Sequence, residues 1–401
     1  MKMLFGADIR NNVRGNLSMK KIGLCACYDT KNYGSMLQVF ATQIKVADLG
    51  YDYEIIRYRK KLNLDSIIRY LPRVLSSEYI SSILTKRTMK REIAKHSEVA
   101  NGITVRNAKF DEFMQNKFTK VSTYYCGYAE LTEGAKNYDI VLVGSDQLWT
   151  PEGLRSNFYN LMFVPESIKK ISYATSFGVS LIPPKYHRLA RTFLNRIDAL
   201  SVREIRASEI IQELTGRKAE VVADPTLLLT SDEWAQQIPR IKIMDKGYIF
   251  CYFLGANPEH RKIAYELKEK FGLTIVCIPH LDEFVEGDLK FGDIRLYNVG
   301  PAEFVNLIRD ASYVCTDSFH GTVFSILHHK KFITFNRFSS GKNSRNSRID
   351  SLCKLTNLEA RRYEGDSSVI ENEIDYAEVD KRLADLRNMS MEFLRKVLAE
   401  E

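Results

Sequence analysis

The stretch A-S-Y-V-C-T-D-S-F-H-G-T, residues 311–322, decides the fold. Its first five residues form an apolar run that reads as a buried strand. After the polar T-D-S-F-H-G-T, the residues Val323, Phe324, Ile326 and Leu327 follow helical apolar spacing. A polar turn between a buried strand and a helix is where open α/β sheets place ligands. Gly321 tolerates a φ that β-branched residues avoid, and the helix start offers unpaired N–H groups and a positive dipole end to an anion. His320 stands at that mouth, with Ser318 and Thr322 beside it.

The same strand, polar loop and helix pattern recurs outward in both directions. Residues 22–26 read as a strand, followed by Y-D-T-K-N-Y-G (28–34), a periodic helix over 35–49 and a second strand at 52–56. Residues 138–143 form another apolar run, ending in G-S-D-Q-L-W (144–149). Further strands are expected at 171–174, 199–202 and 219–223. A polar stretch, 230–246, carries Pro239 and ends at Gly247, which marks a domain boundary. Beyond it come strands at 248–254, 274–278 and 332–335, with helices over 259–271 and 301–310. Such alternation implies mostly parallel sheets covered on both faces. The expected fold is α/β, with two Rossmann-like domains facing each other across a cleft. The expected bounds are a loose leader at 1–18, a first domain at 19–230, a linker at 231–247 and a second domain at 248–375. A charged amphipathic helix at 376–401 is expected to pack back across the first domain.

A chain of 401 residues exceeds one ordinary core, which agrees with two domains. An apolar fraction of 45% with 27% charged residues belongs to the soluble globular class. No uncharged apolar run approaches the ~20 residues that cross a bilayer, and residues 1–18 lack an apolar signal core. A cytoplasmic location is the expectation. The seven cysteines contain no C-x-x-C pair and read as reduced, mostly buried thiols. The net charge of +8 is concentrated: residues 57–95 hold eleven Lys or Arg against three acidic residues, an excess of eight. This basic helical insertion, about 57–110, fits two short helices with a solvated face. It also fits an amphipathic stretch making peripheral contact with the anionic inner face of a membrane. Nucleic acid is not expected, because no aromatic-interleaved or helix-turn-helix pattern accompanies the charge.

In doubly wound sheets the carboxyl ends of the strands open on one side, so residues following strands should converge. Asn32, Tyr33 and Gly34, then Ser145, Asp146 and Gln147, then Arg203 and Asp224 fall at such positions in the first domain. His320 and Ser318 occupy the matching edge of the second. Arg203 suits a bidentate grip on a carboxylate or phosphate, and Arg345 and Arg348 add charge from the G-K-N-S-R-N-S-R loop (341–348). His320 is a candidate general acid or phosphate ligand, and Asp146 a candidate general base. Asp317 is expected either to cap the turn or to orient the imidazole. Asp224, in D-P-T, is expected to be structural. His328 and His329 lack acidic or cysteine partners at ligand spacing, so no metal site is expected. No P-loop, G-x-G-x-x-G or G-x-S-x-G is present.

Seven motifs in order resemble the polysaccharide pyruvyl transferase family: N-Y-G-S-M-L-Q (32–38), G-S-D-Q-L-W (144–149), S-V-R-E (201–204), D-P-T-L-L-L (224–229), G-P-A-E-F (300–304), T-D-S-F-H-G-T (316–322) and N-S-R-I (346–349). The resemblance implies a fold like that of B-type glycosyltransferases, with the first domain on the acceptor side and the second on the donor side. It implies transfer of pyruvate from phosphoenolpyruvate onto two hydroxyls of a sugar, in a surface glycan or its lipid-linked precursor, giving a cyclic ketal and phosphate. It implies no cofactor beyond phosphoenolpyruvate as co-substrate. In the family the donor is held by basic residues, among them an arginine matching Arg203 and a histidine matching His320. Ser318 and Phe319 vary between branches. On this reading Ser318, Gly321, Thr322 and Arg348 complete the donor site, while Asn32, Tyr33, Gly34, Ser145 and Gln147 belong to the acceptor side or its loops. Two alternatives remain: a glycosyltransferase of the same architecture using a nucleotide sugar, and a catalytically silent binding protein of glycan assembly.

Overall fold

Two five-stranded parallel sheets organise the chain in the computed structural model, which describes residues 20–61, 84, 87–88, 91–281, 285–337 and 346–400. The first holds β1 (Lys21–Cys25), β2 (Asp52–Arg59), β3 (Val121–Cys126), β4 (Ile140–Val143) and β5 (Lys169–Ser172), in the order β3-β2-β1-β4-β5. The short pair β6 (Ser201–Val202) and β7 (Glu220–Val221) continues it through parallel bridges Ile171–Ala199 and Thr175–Val202. The second sheet holds β8 (Tyr248–Tyr252), β9 (Thr274–Cys277), β10 (Ile294–Arg295), β11 (Tyr313–Thr316) and β12 (Lys331–Thr334), in the order β10-β9-β8-β11-β12. β4 (I-V-L-V) and β8 (Y-I-F-C-Y) are buried at every position, as continuous apolar strands covered on both faces should be.

The helices are α1 (Tyr33–Asp48), α2 (Ser97–Lys117), α3 (Tyr128–Ala135), α4 (His187–Arg196), α5 (Ile205–Thr215), α6 (Pro225–Leu228), α7 (Ser231–Gln237), α8 (Pro258–Phe271), α9 (Pro301–Asp310), α10 (Phe319–Leu327), α11 (Ser347–Thr356) and α12 (Tyr376–Ala399). Both sheets reverse their strand order at one place, between β1 and β4 in the first and between β8 and β11 in the second. A crevice opens beyond the carboxyl ends of the strands that flank such a reversal. Residues following β1 and β4 therefore line one crevice, and residues following β8 and β11 line the other.

Three local findings differ from the expectations. Helix α10 begins at Phe319 rather than near Val323, because Ser318 caps it and accepts a hydrogen bond from Gly321 N at 3.3 Å. His320 thus lies in the first helical turn, not in a loop. Residues 231–247 are not polar throughout: they include α7, which starts with a capping box between Thr230 and Glu233. Trp234 of α7 is fully buried, with Phe40 at 6.1 Å on one side and Phe324 at 5.2 Å on the other. Finally, β2 runs to Arg59, so the first basic residues of the insertion lie on a strand, where Arg57 and Arg59 stack on Tyr124 at 4.4 and 3.8 Å.

The leader at 1–18 and most of the basic stretch 62–90 lie outside the described residues. One continuous apolar core runs from β1 and α1 through Trp234 to β8, β11 and α10, so the two sheets share their packing. Helix α12 returns to the first half, as expected. Its Ser390 Oγ accepts from Ala223 N at 2.8 Å, and its Arg387 Nε donates to Leu227 O at 2.6 Å. Among the described residues no helix is long and apolar enough to cross a membrane. All seven cysteines are free thiols, five of them buried.

Candidate active site

Arg203 follows β6 and ends with its side chain fully buried, so each of its nitrogens needs a partner. Nη1 donates to Asp224 Oδ2 at 2.6 Å and reaches Ser145 Oγ at 3.3 Å, while Nη2 donates to Asp146 Oδ1 at 3.1 Å. The Phe319 ring lies 4.6 Å from the guanidinium. Burial opposes its charge, but Asp224, Asp146 and Glu204 outweigh that and raise Arg203 above its ordinary range, so it stays cationic. Its Nε is buried and has no hydrogen-bond partner among the described residues.

Asp224 joins the two halves. Besides Arg203 it accepts from Ser145 Oγ at 2.8 Å, and it caps α6 by accepting from Thr226 N at 3.0 Å and Thr226 Oγ1 at 2.6 Å. Its Oδ1 lies 3.7 Å from His320 Nε2, which comes from the second sheet. Burial would push this carboxyl up, yet His320 and Arg203 hold it far below the usual carboxylate range. The structural role expected from D-P-T is present, and the same carboxylate also faces His320.

His320 is packed against α1. A Cβ built on Gly34 would fall 1.9 Å from His320 Nδ1 and 2.5 Å from Cε1, so only glycine lets the first turn of α1 approach the imidazole. The ring is buried edge-on to Phe319 at 5.0 Å, and Nε2 has no hydrogen-bond partner among the described residues.

Asp146 adopts φ +85°, a left-handed conformation rare outside glycine. Ser35 Oγ donates to Oδ2, and Gln147 N to Oδ1 at 2.8 Å. Burial pushes the carboxyl up, but Arg203, His320, Ser35 and Arg348 together hold it below its ordinary range. A carboxylate this well satisfied is a poor proton acceptor at neutral pH, so the arrangement fits orientation of Arg203 better than the base role expected for Asp146.

Arg348, on α11, faces the same group. With the Gln147 carboxamide oxygen turned toward it, its Nε and Nη2 donate at 3.2 and 2.8 Å, and its guanidinium lies 5.8 Å from the Phe319 ring. Burial and the proximity of Arg203 push it down to about 10. Glu204, fully buried beside Arg203, accepts from Ser176 Oγ at 2.8 Å; burial pushes its carboxyl up in spite of Arg203 and Arg348.

Other expected residues are placed differently. Asn32 caps α1 by accepting from Ser35 N at 3.0 Å. Tyr33 is stacked on Phe304 at 4.6 Å and donates to Val299 O at 3.0 Å, so it ties the halves together rather than facing solvent. Asp317 neither caps α10 nor touches His320: its oxygens accept from Leu254 N at 2.6 Å and Gly255 N at 2.8 Å, fixing the loop after β8. Thr322 Oγ1 bonds Ser318 O and Thr334 Oγ1 within the second half, and Gly321 lets Thr316 Oγ1 approach. Arg345 lies outside the described residues. Ser35 and Glu204 were not singled out from sequence, although each sits inside a motif that was. Among the described residues no cluster of His, Cys, Asp or Glu could hold a metal ion.

A family model for polysaccharide pyruvyl transferase matches residues 32–340, from the cap of α1 across both sheets. The chain belongs to the polysaccharide pyruvyl transferase family. As a pyruvyl transferase it is a transferase acting on polysaccharide, and the matched span contains Ser35, Asp146, Arg203, Asp224 and His320. No curated protein matches in sequence. Among solved structures, this pyruvyl transferase is similar to UDP-GlcNAc 2-epimerase from Methanocaldococcus jannaschii, at 12% identity and TM-score 0.46 over 92% of each chain. It is similar to an alpha-glucosyltransferase in complex with UDP and DNA, at 8% identity and TM-score 0.46 over 95% of each chain. A third likeness is to E. coli heptosyltransferase WaaC, at 14% identity and TM-score 0.35, covering 82% of this chain and 92% of that one.

Proposed function

We propose that the chain moves pyruvate from phosphoenolpyruvate onto two hydroxyls of a sugar in a polysaccharide or its lipid-linked precursor, forming a cyclic ketal and releasing phosphate. One observation carries the reading: Arg203 and His320 come from opposite halves to the two oxygens of Asp224, and among the described residues Arg203 Nε and His320 Nε2 are buried nitrogens without hydrogen-bond partners. A buried unmatched N–H costs about 1–3 kcal/mol, and a donor oxygen that reached either nitrogen would recover it. Phosphoenolpyruvate carries a carboxylate and a phosphate close together, which suits a guanidinium with an imidazole beside it.

In the proposed reaction His320, protonated, delivers its proton to the methylene carbon of the donor. The C=C electron pair forms the new C–H bond and leaves C2 electron-deficient. One sugar hydroxyl attacks C2, and its proton returns to the His320 imidazole. Phosphate then departs with the C–O bonding pair, and the second hydroxyl closes the ketal at C2, its proton passing to the released phosphate. Arg203 holds an anionic end of the donor, while Asp146 and Asp224 keep its guanidinium in place. The chemistry calls for no cofactor. Phosphate release from phosphoenolpyruvate, supplied with surface polysaccharide of the same cells, tests this. His320→Ala should lose at least about 100-fold of the rate, the scale of a missing general acid. Near-normal turnover in that variant removes His320 from the mechanism.

A further inference from the structure

Helix α10 carries His320 at its first turn and leads, eight residues later, to His328 and His329 at its other end. At about 1.5 Å per residue these lie about 12 Å from His320 along the axis, at the sheet edge opposite the candidate active site. There a cavity of about 550 Å³ opens between α7, α9, the end of α10 and α12. Its size falls in the range of small-molecule sites.

The walls offer hydrogen-bonding groups of both kinds with capacity to spare. Arg387 is fixed by Nε on Leu227 O at 2.6 Å, and among the described residues its Nη1 and Nη2 have no partner. Asp380 accepts from His329 Nε2 at 3.0 Å through Oδ1 alone, which leaves Oδ2, and the Asp232 carboxylate is likewise unengaged among the described residues. Arg309 is committed to Ile238 O and Asn306, so it shapes the wall rather than receiving a ligand. His328 is tied to Ser231 Oγ at 3.1 Å, and burial pushes it down to about 3, so it is neutral at physiological pH. The His329 ring stacks on Tyr376 at 4.3 Å.

Two arginines against two aspartates leave this cavity without the net positive charge that a phosphate or carboxylate ligand would need, and an anion would face Asp232 and Asp380. Hydroxyls donate and accept at once, so a neutral polyol matches a wall of free guanidinium N–H groups and free carboxylate oxygens. We propose that this cavity is a second saccharide-binding site, separate from the site around His320 and Arg203, which holds a distant unit of the polysaccharide on which the enzyme acts. It does not depend on phosphoenolpyruvate being the donor.

Saturation-transfer NMR on the full chain, with lactose, maltose, cellobiose and N,N′-diacetylchitobiose as probes, tests this. At least one should receive transfer from the wild type and from His320→Ala, and lose about tenfold or more of its affinity in Asp380→Asn/Arg387→Ala, since each charged hydrogen bond is worth roughly that much. Asp232→Asn/Asp380→Asn changes only exposed carboxylates and gives the same reading should the Arg387 variant fold poorly. Absence of transfer with all four disaccharides overturns the proposal. So does affinity unchanged in both double variants, or displacement of a bound sugar by inorganic phosphate, which would mark an anion site.

Discussion

Gly34→Ala probes the contact between the halves most sharply. The added Cβ would lie 1.9 Å from His320 Nδ1, whereas ordinary contacts begin at 3.4 Å, so ring and helix must separate by about 1.5 Å. The imidazole cannot swing aside freely, because Phe319 lies edge-on at 5.0 Å and Asp224 stands 3.7 Å from Nε2. Overpacking of this kind costs about 1–3 kcal/mol of stability. A displacement of 1 Å or more at a reacting group costs roughly 100-fold in rate. The control is Gly144→Ala, at the end of β4, where the new Cβ would meet nothing nearer than Ala26 at 3.7 Å. Thermal unfolding and phosphate release are measured on both variants. The expected outcome is a midpoint lowered by a few degrees and a large loss of turnover in Gly34→Ala, with the control close to wild type. Wild-type stability and turnover in Gly34→Ala would refute the packing of α1 against His320.

Three further outcomes follow from the buried charges. Asp224→Asn leaves Arg203 without its closest counter-charge and should destabilise by about 3–5 kcal/mol in urea unfolding; a loss under 1 kcal/mol would mean that Asp224 does not anchor Arg203. Asp224 and Asp146 are both held below the ordinary carboxylate range, so the native state binds fewer protons than the unfolded chain in acid. Their stabilisation is complete above the unfolded value of about 3.9 and is lost as pH falls toward the folded values, so melting temperature should drop below about pH 4, less steeply in Asp146→Asn. Glu204 has the opposite sign: its raised carboxyl costs stability as pH rises from the unfolded value of about 4.3 through the folded one. Glu204→Gln should therefore melt at or above the wild-type temperature at pH 7; a lower midpoint would show that attraction to Arg203 and Arg348 outweighs burial.

The elements were legible wherever apolar period and end signals agreed. Helices α9 and α12 follow from a proline start and from sustained apolar spacing, and β4, β8 and β11 follow from short apolar runs. Arg203 was readable because it directly follows such a run, and His320 because it stands in the polar motif after one. Roles that depend on which strands are neighbours were not. Asp317 bonds the loop after β8 because β8 pairs with β11, a pairing 64 residues apart that no local pattern encodes. Asp224 carries a local signal, the D-P-T cap, which concealed its contact with His320 from the other half. Ser35 looked like an ordinary first-turn residue; only the left-handed turn at Asp146 brings a carboxylate to it. Trp234 sits in a polar stretch whose period is too short to reveal that it is packed between Phe40 and Phe324.

On the proposed function, the anionic donor phosphoenolpyruvate binds beside Arg203 and His320. Thermal denaturation of the purified protein with phosphoenolpyruvate, beside a panel of nucleotide sugars, tests it most directly. At a hundredfold excess over Kd a ligand adds about 2.7 kcal/mol to the native state. The expected result is stabilisation by phosphoenolpyruvate that is lost in His320→Ala, with none from the nucleotide sugars. Stabilisation by a nucleotide sugar and not by phosphoenolpyruvate would contradict it.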